Sequence, residues 1–397
     1  MEFIPKNHPE IKYGKIGVLI INLGTPDATD YWSIRKYLKE FLSDRRVIDI
    51  NKYLWWIILN VIILTFRPSK TAKAYKAIWN LDKDESPLKT YTRSQAEALE
   101  EDFKEVEIFW SMRYGNPSIS SVLKAMRDKG IDRILIFPLY PQYAAATTAT
   151  VNDKVFEELS KMRWQPSIRT MPPFFDNPLY IDALNSSVQK HIESLEWKPE
   201  ILLTSYHGLP KRYLDLGDPY HCHCHKTTRL LKEKLNYFSG ETILAFQSRF
   251  GPEEWLKPYT EETVINLAKN GCESLAILSP AFISDCVETL EEINIGIKEV
   301  FFEINYDPVQ GAPVLSSYLE FNIEMSEVRI SFMRDGTFSY EFSRDLDYNP
   351  DTGRFEINET LNPYVTAGVY NLIRVVLDTA DDDGIVVTGT QLELLGY

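Results

Sequence analysis

The sequence predicts an α/β protein of two similar half-domains, each with a parallel sheet, followed by a small β-rich, sandwich-like domain. Three observations predict it. Short apolar runs alternate with helix-like stretches over residues 1–303, an internal repeat divides those residues in two, and the charge changes abruptly near residue 304.

Taken in chain order, the apolar runs at 16–22, 106–110, 133–139, 201–206, 242–247 and 274–279 fit strands buried on both faces. Helix-like stretches lie between them at 118–129, 178–195, 227–235 and 258–270. Such alternation calls for a parallel sheet with helices on both faces.

The repeat is carried by three pairs of segments in the same order. Asn22-Leu-Gly-Thr-Pro26 resembles Tyr206-His-Gly-Leu-Pro210, each directly after an apolar strand. Ser111-Met-Arg-Tyr-Gly115 resembles Gln247-Ser-Arg-Phe-Gly251, and 129–138 resembles 270–279. Two half-domains follow, at 1–150 and 151–303, whose strand-end loops meet at a shared cleft where open α/β sheets bind ligands. The first half carries an insertion, including the apolar run 53–66 with Trp55 and Trp56. At 14 residues it falls short of the roughly 20 needed to span a bilayer. It reads as a buried helix or as a lip lying on a membrane surface, flanked by Arg45, Arg46, Lys52, Arg67 and Lys70.

Residues 304–397 hold 16 Asp and Glu, five Arg and no Lys, so they carry −11 of the total −14. That break predicts a third domain at 304–397, joined through the Pro- and Gly-containing stretch 305–313. Within it, 326–333 and 337–343 alternate polar and apolar residues around Arg334-Asp-Gly336, a hairpin signal, and 369–377 is a further strand.

Composition excludes several classes. A net charge of −14 argues against nucleic acid as a partner. Four Cys in 397 residues make no disulfide framework, which predicts a reducing compartment. The first 15 residues have no apolar core of the secretory type, so a cytoplasmic location is expected.

Two constellations could do chemistry. His207 ends a predicted strand where Gly208 and Pro210 turn the chain, a place for an imidazole to take protons or touch a metal. The segment Ser284-Asp-Cys-Val-Glu-Thr-Leu-Glu-Glu292 follows the last strand of the second half. A helix starting near Ser284 would put Asp285 and Glu288 on one face; as helix caps and solvated carboxylates they would have no such role.

These segments carry a family resemblance. Leu19-Ile-Ile-Asn-Leu-Gly-Thr-Pro26, Phe137-Pro-Leu-Tyr-Pro-Gln-Tyr143 with Thr147 and Thr148, Ser205-Tyr-His-Gly-Leu-Pro210 with Gly217-Asp-Pro-Tyr220, Phe246-Gln-Ser-Arg-Phe-Gly251 and 284–292 together resemble ferrochelatases, in family order over about residues 14–303. The resemblance implies two Rossmann-like, chelatase-type half-domains around a porphyrin cleft. It implies a lyase that inserts Fe²⁺ into protoporphyrin IX to form haem b, with no organic cofactor and with peripheral attachment to the inner membrane. By the same resemblance His207 and Glu288 are catalytic and metal-contacting, with Asp285 beside them; Arg113, Tyr114 and Tyr143 are candidates for the porphyrin wall or its propionates, and Arg113 reads equally as half of a structural ion pair. The porphyrin must lose two pyrrole protons and bend toward the incoming ion, so a base at the macrocycle centre is needed.

Some features depart from the family pattern. Tyr220-His-Cys-His-Cys-His225 packs thiols and imidazoles into five positions, and Cys222, Cys224, Cys272 and Cys286 could hold a [2Fe–2S] cluster of the kind some bacterial members bind. An extended chain there points alternate residues opposite ways, against one closed site. Relatives continue beyond the 288–292 segment, whereas here the Lys-free region follows within a few residues. Asp347–Gly353 and Asp378–Gly384 are loosely like Ca²⁺ loops, or simply acidic turns. A non-catalytic porphyrin or haem binder, a cobalt or nickel chelatase of the same fold, and an adhesive role for the tail are the rival readings.

Overall fold

The computed structural model describes residues 7–8, 14–195, 197–251 and 253–305, and the backbone of strands at 325–334, 337–344, 347–349, 354–356 and 372–379. The chain divides into two units, Met1–Thr263 with Ser274–Asn294, and Val264–Glu273 with Ile295–Tyr397.

The first unit begins with β1 (Lys15–Thr25), then α1 (Tyr31–Leu42), α2 (Lys52–Ile57), α3 (Leu64–Ile78) and α4 (Pro87–Asp102). β2 (Glu107–Gly115), α5 (Ile119–Asp128), β3 (Ile131–Pro138), α6 (Thr150–Ser160) and β4 (Ser167–Thr170) complete the first half. Its strands run parallel in the order β2-β1-β3-β4. Period-two alternation in β1 feeds two cores. Leu19 and Ile21 pack with Ile119, Leu123 and Val155 from α5 and α6, while Ile20 packs with Ala96 and Leu99 of α4. Leu19, Ile20 and Ile21 are wholly buried, each contributing about 1.5–3 kcal/mol of transfer free energy.

The second half follows the same scheme with α7 (Pro178–Ser194), β5 (Ile201–His207), α8 (Lys211–Asp215), α9 (Tyr220–Lys234), β6 (Glu241–Gln247), α10 (Thr260–Lys269) and β7 (Leu275–Leu278). The sheet is parallel, in the order β6-β5-β7. Asn177 accepts the Leu179 N–H and Pro178 occupies the first turn, so α7 starts at 178, where the helix-like stretch begins.

All six predicted strands form, and β4 is an addition. Ser-Ile-Arg-Thr has a single apolar residue and lies at a sheet edge with three exposed positions, so it gives no apolar run. α9 begins seven residues before the predicted start, because His and Cys obscure its helical spacing.

The run 53–66 is helical but not a buried helix. α2 passes through a π-helical segment, Ile58–Ile63, into α3. Leu59 and Leu64 turn inward, whereas Tyr53 and Phe66 are 79% and 73% exposed and Leu54, Trp56, Ile57, Val61 and Ile62 are exposed with them. No helix among the described residues is long and apolar enough to cross a membrane.

The second unit includes α11 (Lys298–Asn305) and an antiparallel sheet of β8 (Met325–Arg334), β9 (Thr337–Arg344) and β12 (Leu372–Thr379), in the order β12-β8-β9. β10 (Asp347–Asn349) pairs with β11 (Arg354–Glu356). The predicted hairpin is β8–β9, with Phe332 opposite Tyr340. The two loosely Ca²⁺-like stretches begin in β10 and β12, and their remaining residues, 350–353 and 380–384, lie outside the described residues.

Candidate active site

The carboxyl ends of β1 and β5 supply the two sides of the site. At the end of β1, Gly24 has φ +120°, and a Cβ there would lie 1.8 Å from the Tyr114 carbonyl oxygen, so only glycine fits. A cavity of about 10 Å³, room for roughly one water, sits against this end. Its wall includes Leu23, Gly24, Tyr37, Tyr75, Cys286, Val287 and Glu288. Tyr37 donates to the Gly24 carbonyl at 3.2 Å. Burial pushes the phenols of Tyr37 and Tyr75 up, and the Glu288 charge adds to it. Both therefore stay neutral hydroxyls beside the carboxylate.

His207 is the last residue of β5 and half-buried. Its Nδ1 lies 2.6 Å from the Gly208 carbonyl oxygen. A carbonyl only accepts, so Nδ1 carries a proton in this contact, which leaves Nε2 as the nitrogen that can accept one.

Gln247 joins this strand end to Glu288. It pairs in register with His207, is 4% exposed, and its Oε1 accepts from Ser205 Oγ at 2.7 Å. Its Nε2 donates to the Glu288 carbonyl at 2.9 Å and to Glu292 Oε2 at 3.3 Å. Glu292 also accepts from Ser248 N at 2.6 Å and from Ser248 Oγ. These charge-assisted bonds hold Ser248 in the left-handed region at φ +64°, which costs on the order of 1–3 kcal/mol in a non-glycine residue. The buried amide of Gln247 thus holds the Glu288–Glu292 segment against the end of β6, opposite His207 in register.

The preceding segment is tied to the first half. Gln95 of α4 donates to the Ile283 carbonyl at 2.8 Å and accepts from Ser284 Oγ at 3.2 Å, and Asn22 Nδ2 reaches Ser284 Oγ at 3.5 Å. The helix begins later than the sequence predicts, in a π-helical segment, Glu288–Ile297. Asp285 therefore precedes it, exposed, and accepts from Thr289 Oγ1 at 2.9 Å, so the shared helix face with Glu288 does not form. Among the described residues Glu288 lines the cavity and Asp285 does not.

The predicted porphyrin contacts divide. Arg113 pairs with Asp44 and donates Nε–H to the Thr150 carbonyl at 2.8 Å, with both charged side chains almost buried. Tyr114 has no exposed surface and donates to Asp44 at 2.9 Å. Both have spent their polar groups inside the first half. Tyr143 is half-buried on the loop after β3, and its N–H donates to His223 Nδ1 at 3.2 Å. The same loop is held by Gln142 to Thr227 and by Ala145 N to Asp218 Oδ2 at 2.7 Å, which gives Asp218 of the Gly217–Tyr220 motif its place.

The four-thiolate expectation is corrected. Residues 220–225 form the first turns of α9 rather than an extended chain, so Cys222 and Cys224 stand about 200° apart around the helix. Cys222 is exposed, while Cys224 is buried with Tyr206, Tyr220 and Phe246. Cys286 lines the cavity, Cys272 belongs to the other unit, and burial raises the thiols of Cys224 and Cys286. No group of three or more metal-ligating side chains exists among the described residues.

Gln247, Glu292, Tyr37 and Tyr75 were given no role from sequence. Gln247 lies in a quoted motif, yet only the β5–β6 register reveals its partners. Tyr37 and Tyr75 are two among several aromatics on α1 and α3, and nothing in their spacing marks them.

A family model described as Ferrochelatase matches residues 15–328, past the joint that charge places near residue 304. The chain is 53% identical over 320 residues to a protein named Ferrochelatase from Agrobacterium fabrum, covering 80% of this chain and 93% of that one. It is 58% identical over 289 residues to a Ferrochelatase of Rhizobium meliloti, covering 72% and 85%. Among solved structures it is similar to SirB from Bacillus subtilis with Fe3+, at a TM-score of 0.43 and 13% identity over 72% and 84%. With two parallel sheets, a family model matched over residues 15–328 and this degree of identity along most of its length, the chain belongs to the ferrochelatase family.

Proposed function

We propose that the protein is a lyase inserting Fe²⁺ into protoporphyrin IX to give haem b and two protons. The observation that supports this reading is the register of β5 with β6, in which His207 stands opposite Gln247, whose side-chain amide donates to the Glu288 carbonyl. In this reading His207 Nε2 accepts a pyrrole proton. Glu288, with the neutral hydroxyls of Tyr37 and Tyr75 nearby, contacts the ion or carries a proton away. Asp285, exposed at the start of the segment, has a secondary part in proton removal. Tyr143 is the one of the three predicted porphyrin contacts whose hydroxyl we assign to the substrate. Iron and porphyrin are substrates, and no organic cofactor takes part.

The cavity is far smaller than a tetrapyrrole. We propose that the porphyrin enters beside the lip formed by α2, the π-helical segment and α3. The exposed apolar side chains of that lip, with Arg45, Lys52 and Lys70 around them, support peripheral attachment to a cytoplasmic membrane face. Residues 1–150, 151–303 and 304–397 are proposed as the domains, with the family match reaching into the start of the last.

The test is anaerobic incubation of the full chain with Fe²⁺ and protoporphyrin, followed by absorbance. Haem formation supports the reading. Porphyrin binding without insertion would favour a non-catalytic binder, and insertion of Co²⁺ or Ni²⁺ but not Fe²⁺ would favour the other chelatase reading.

A further inference from the structure

We propose that His221 and His225 form a two-imidazole site for a borderline divalent cation such as Zn²⁺, Ni²⁺ or Cu²⁺, separate from the chelatase site. The two residues are four apart on α9 and share one helix face. Their ring centres lie 4.3 Å apart. A metal held at about 2.0–2.1 Å by one nitrogen of each ring would set the ring centres roughly 4.5–5 Å apart, so closing the chelate needs shifts of only a few tenths of an ångström. Imidazole nitrogen is a preferred ligand for these ions.

Neither ring hydrogen-bonds to any described residue, so no existing bond must break. The other His of the motif contrasts with them. His223 accepts the Tyr143 N–H and stacks on Phe175 with centres 3.6 Å apart. His221 is braced against the ring of Phe246, 5.8 Å away and nearly parallel, which limits its rotamers. His225 is exposed, and this opens the pair to solvent ions.

The pair is on the other side of the sheet from the chelatase site. In the β5–β6 register Tyr206 stands opposite Phe246 and His207 opposite Gln247. Alternation puts Phe246 and Gln247 on opposite faces. α9 covers the face of Phe246, while Glu288 is reached from the face of Gln247. Since no group of three ligating side chains exists among the described residues, two imidazoles bind and water completes the coordination.

The probe is Cu²⁺–iminodiacetate, whose chelating ligand leaves room for little more than two imidazoles, titrated into the full chain and followed by electron paramagnetic resonance. The expected result is one equivalent bound with two imidazole nitrogens in addition to the amine nitrogen of the chelator. His221→Asn or His225→Asn should each weaken binding by about tenfold or more, because the second ligand is intramolecular. Circular dichroism and iron insertion should stay at wild-type level. Zn²⁺ should raise the melting temperature of the wild type and not of either variant. Failure of the wild type to bind, unchanged binding in the double variant, or loss of binding in Cys222→Ser would each overturn the proposal.

Discussion

Replacing Asp44 by Ala tests whether Arg113 and Tyr114 are structural. Asp44 accepts from the Arg113 guanidinium and from the Tyr114 hydroxyl, and its side chain is 12% exposed against 11% for Arg113 and a wholly buried Tyr114. Removing one partner of a buried ion pair costs about 3–5 kcal/mol. Arg113 keeps its bond to the Thr150 carbonyl and its position 4.3 Å from the Tyr114 ring, which favours the low end. The orphaned Tyr114 hydroxyl adds about 1–3 kcal/mol, not fully additively. We expect about 4 kcal/mol in all, read from urea unfolding followed by tryptophan fluorescence. Asp44→Leu combined with Arg113→Met leaves no unpaired charge and should cost clearly less than Asp44→Ala alone. A loss below about 1 kcal/mol for Asp44→Ala, or an Arg113→Met variant of full stability with weakened porphyrin affinity, would refute the structural assignment.

Three further outcomes are expected. Gln247→Leu should cut iron insertion by at least about tenfold while costing roughly 1–3 kcal/mol, since it strands the Glu288 carbonyl and releases Glu292; normal kinetics would contradict the bridge. Gly24→Ala should lower the melting temperature by several degrees, because its Cβ would strike the Tyr114 carbonyl, and differential scanning calorimetry reads this directly. Burial lowers the pKa of His221, His223 and His225 below the usual 6.5. Being bases with depressed folded values, they take up protons on unfolding below pH 6.5, so their contribution is full above that pH and shrinks as pH falls through it. A melting temperature independent of pH between 7 and 5.5, or equally dependent in a variant lacking all three imidazoles, would contradict this.

The fold was legible where burial is two-sided. Leu19, Ile20 and Ile21 in β1 each face a core, so β1 reads as an unbroken apolar run, whereas edge strand β4 has no such signature. His207 and Glu288 were legible because they stand in motifs that follow strands. What sequence could not supply was orientation. Asp285 falls before the helix, since Ser284 is held by Gln95 of a distant helix, and that contact spans 189 residues. The apolar run 53–66 read equally as buried or interfacial, because composition does not say which side chains find a partner. Asp44, which pairs with Arg113 and accepts from Tyr114, lies 69 positions from Arg113, and no local pattern encodes that contact.

Proton removal by the imidazole at the end of β5 is the step on which the account depends. In His207→Ala, protoporphyrin affinity measured by fluorescence should stay within about threefold of the wild type. Anaerobic Fe²⁺ insertion should fall by about 10²-fold or more, the usual range for losing a general base. Insertion at a near-normal rate with porphyrin bound would contradict it.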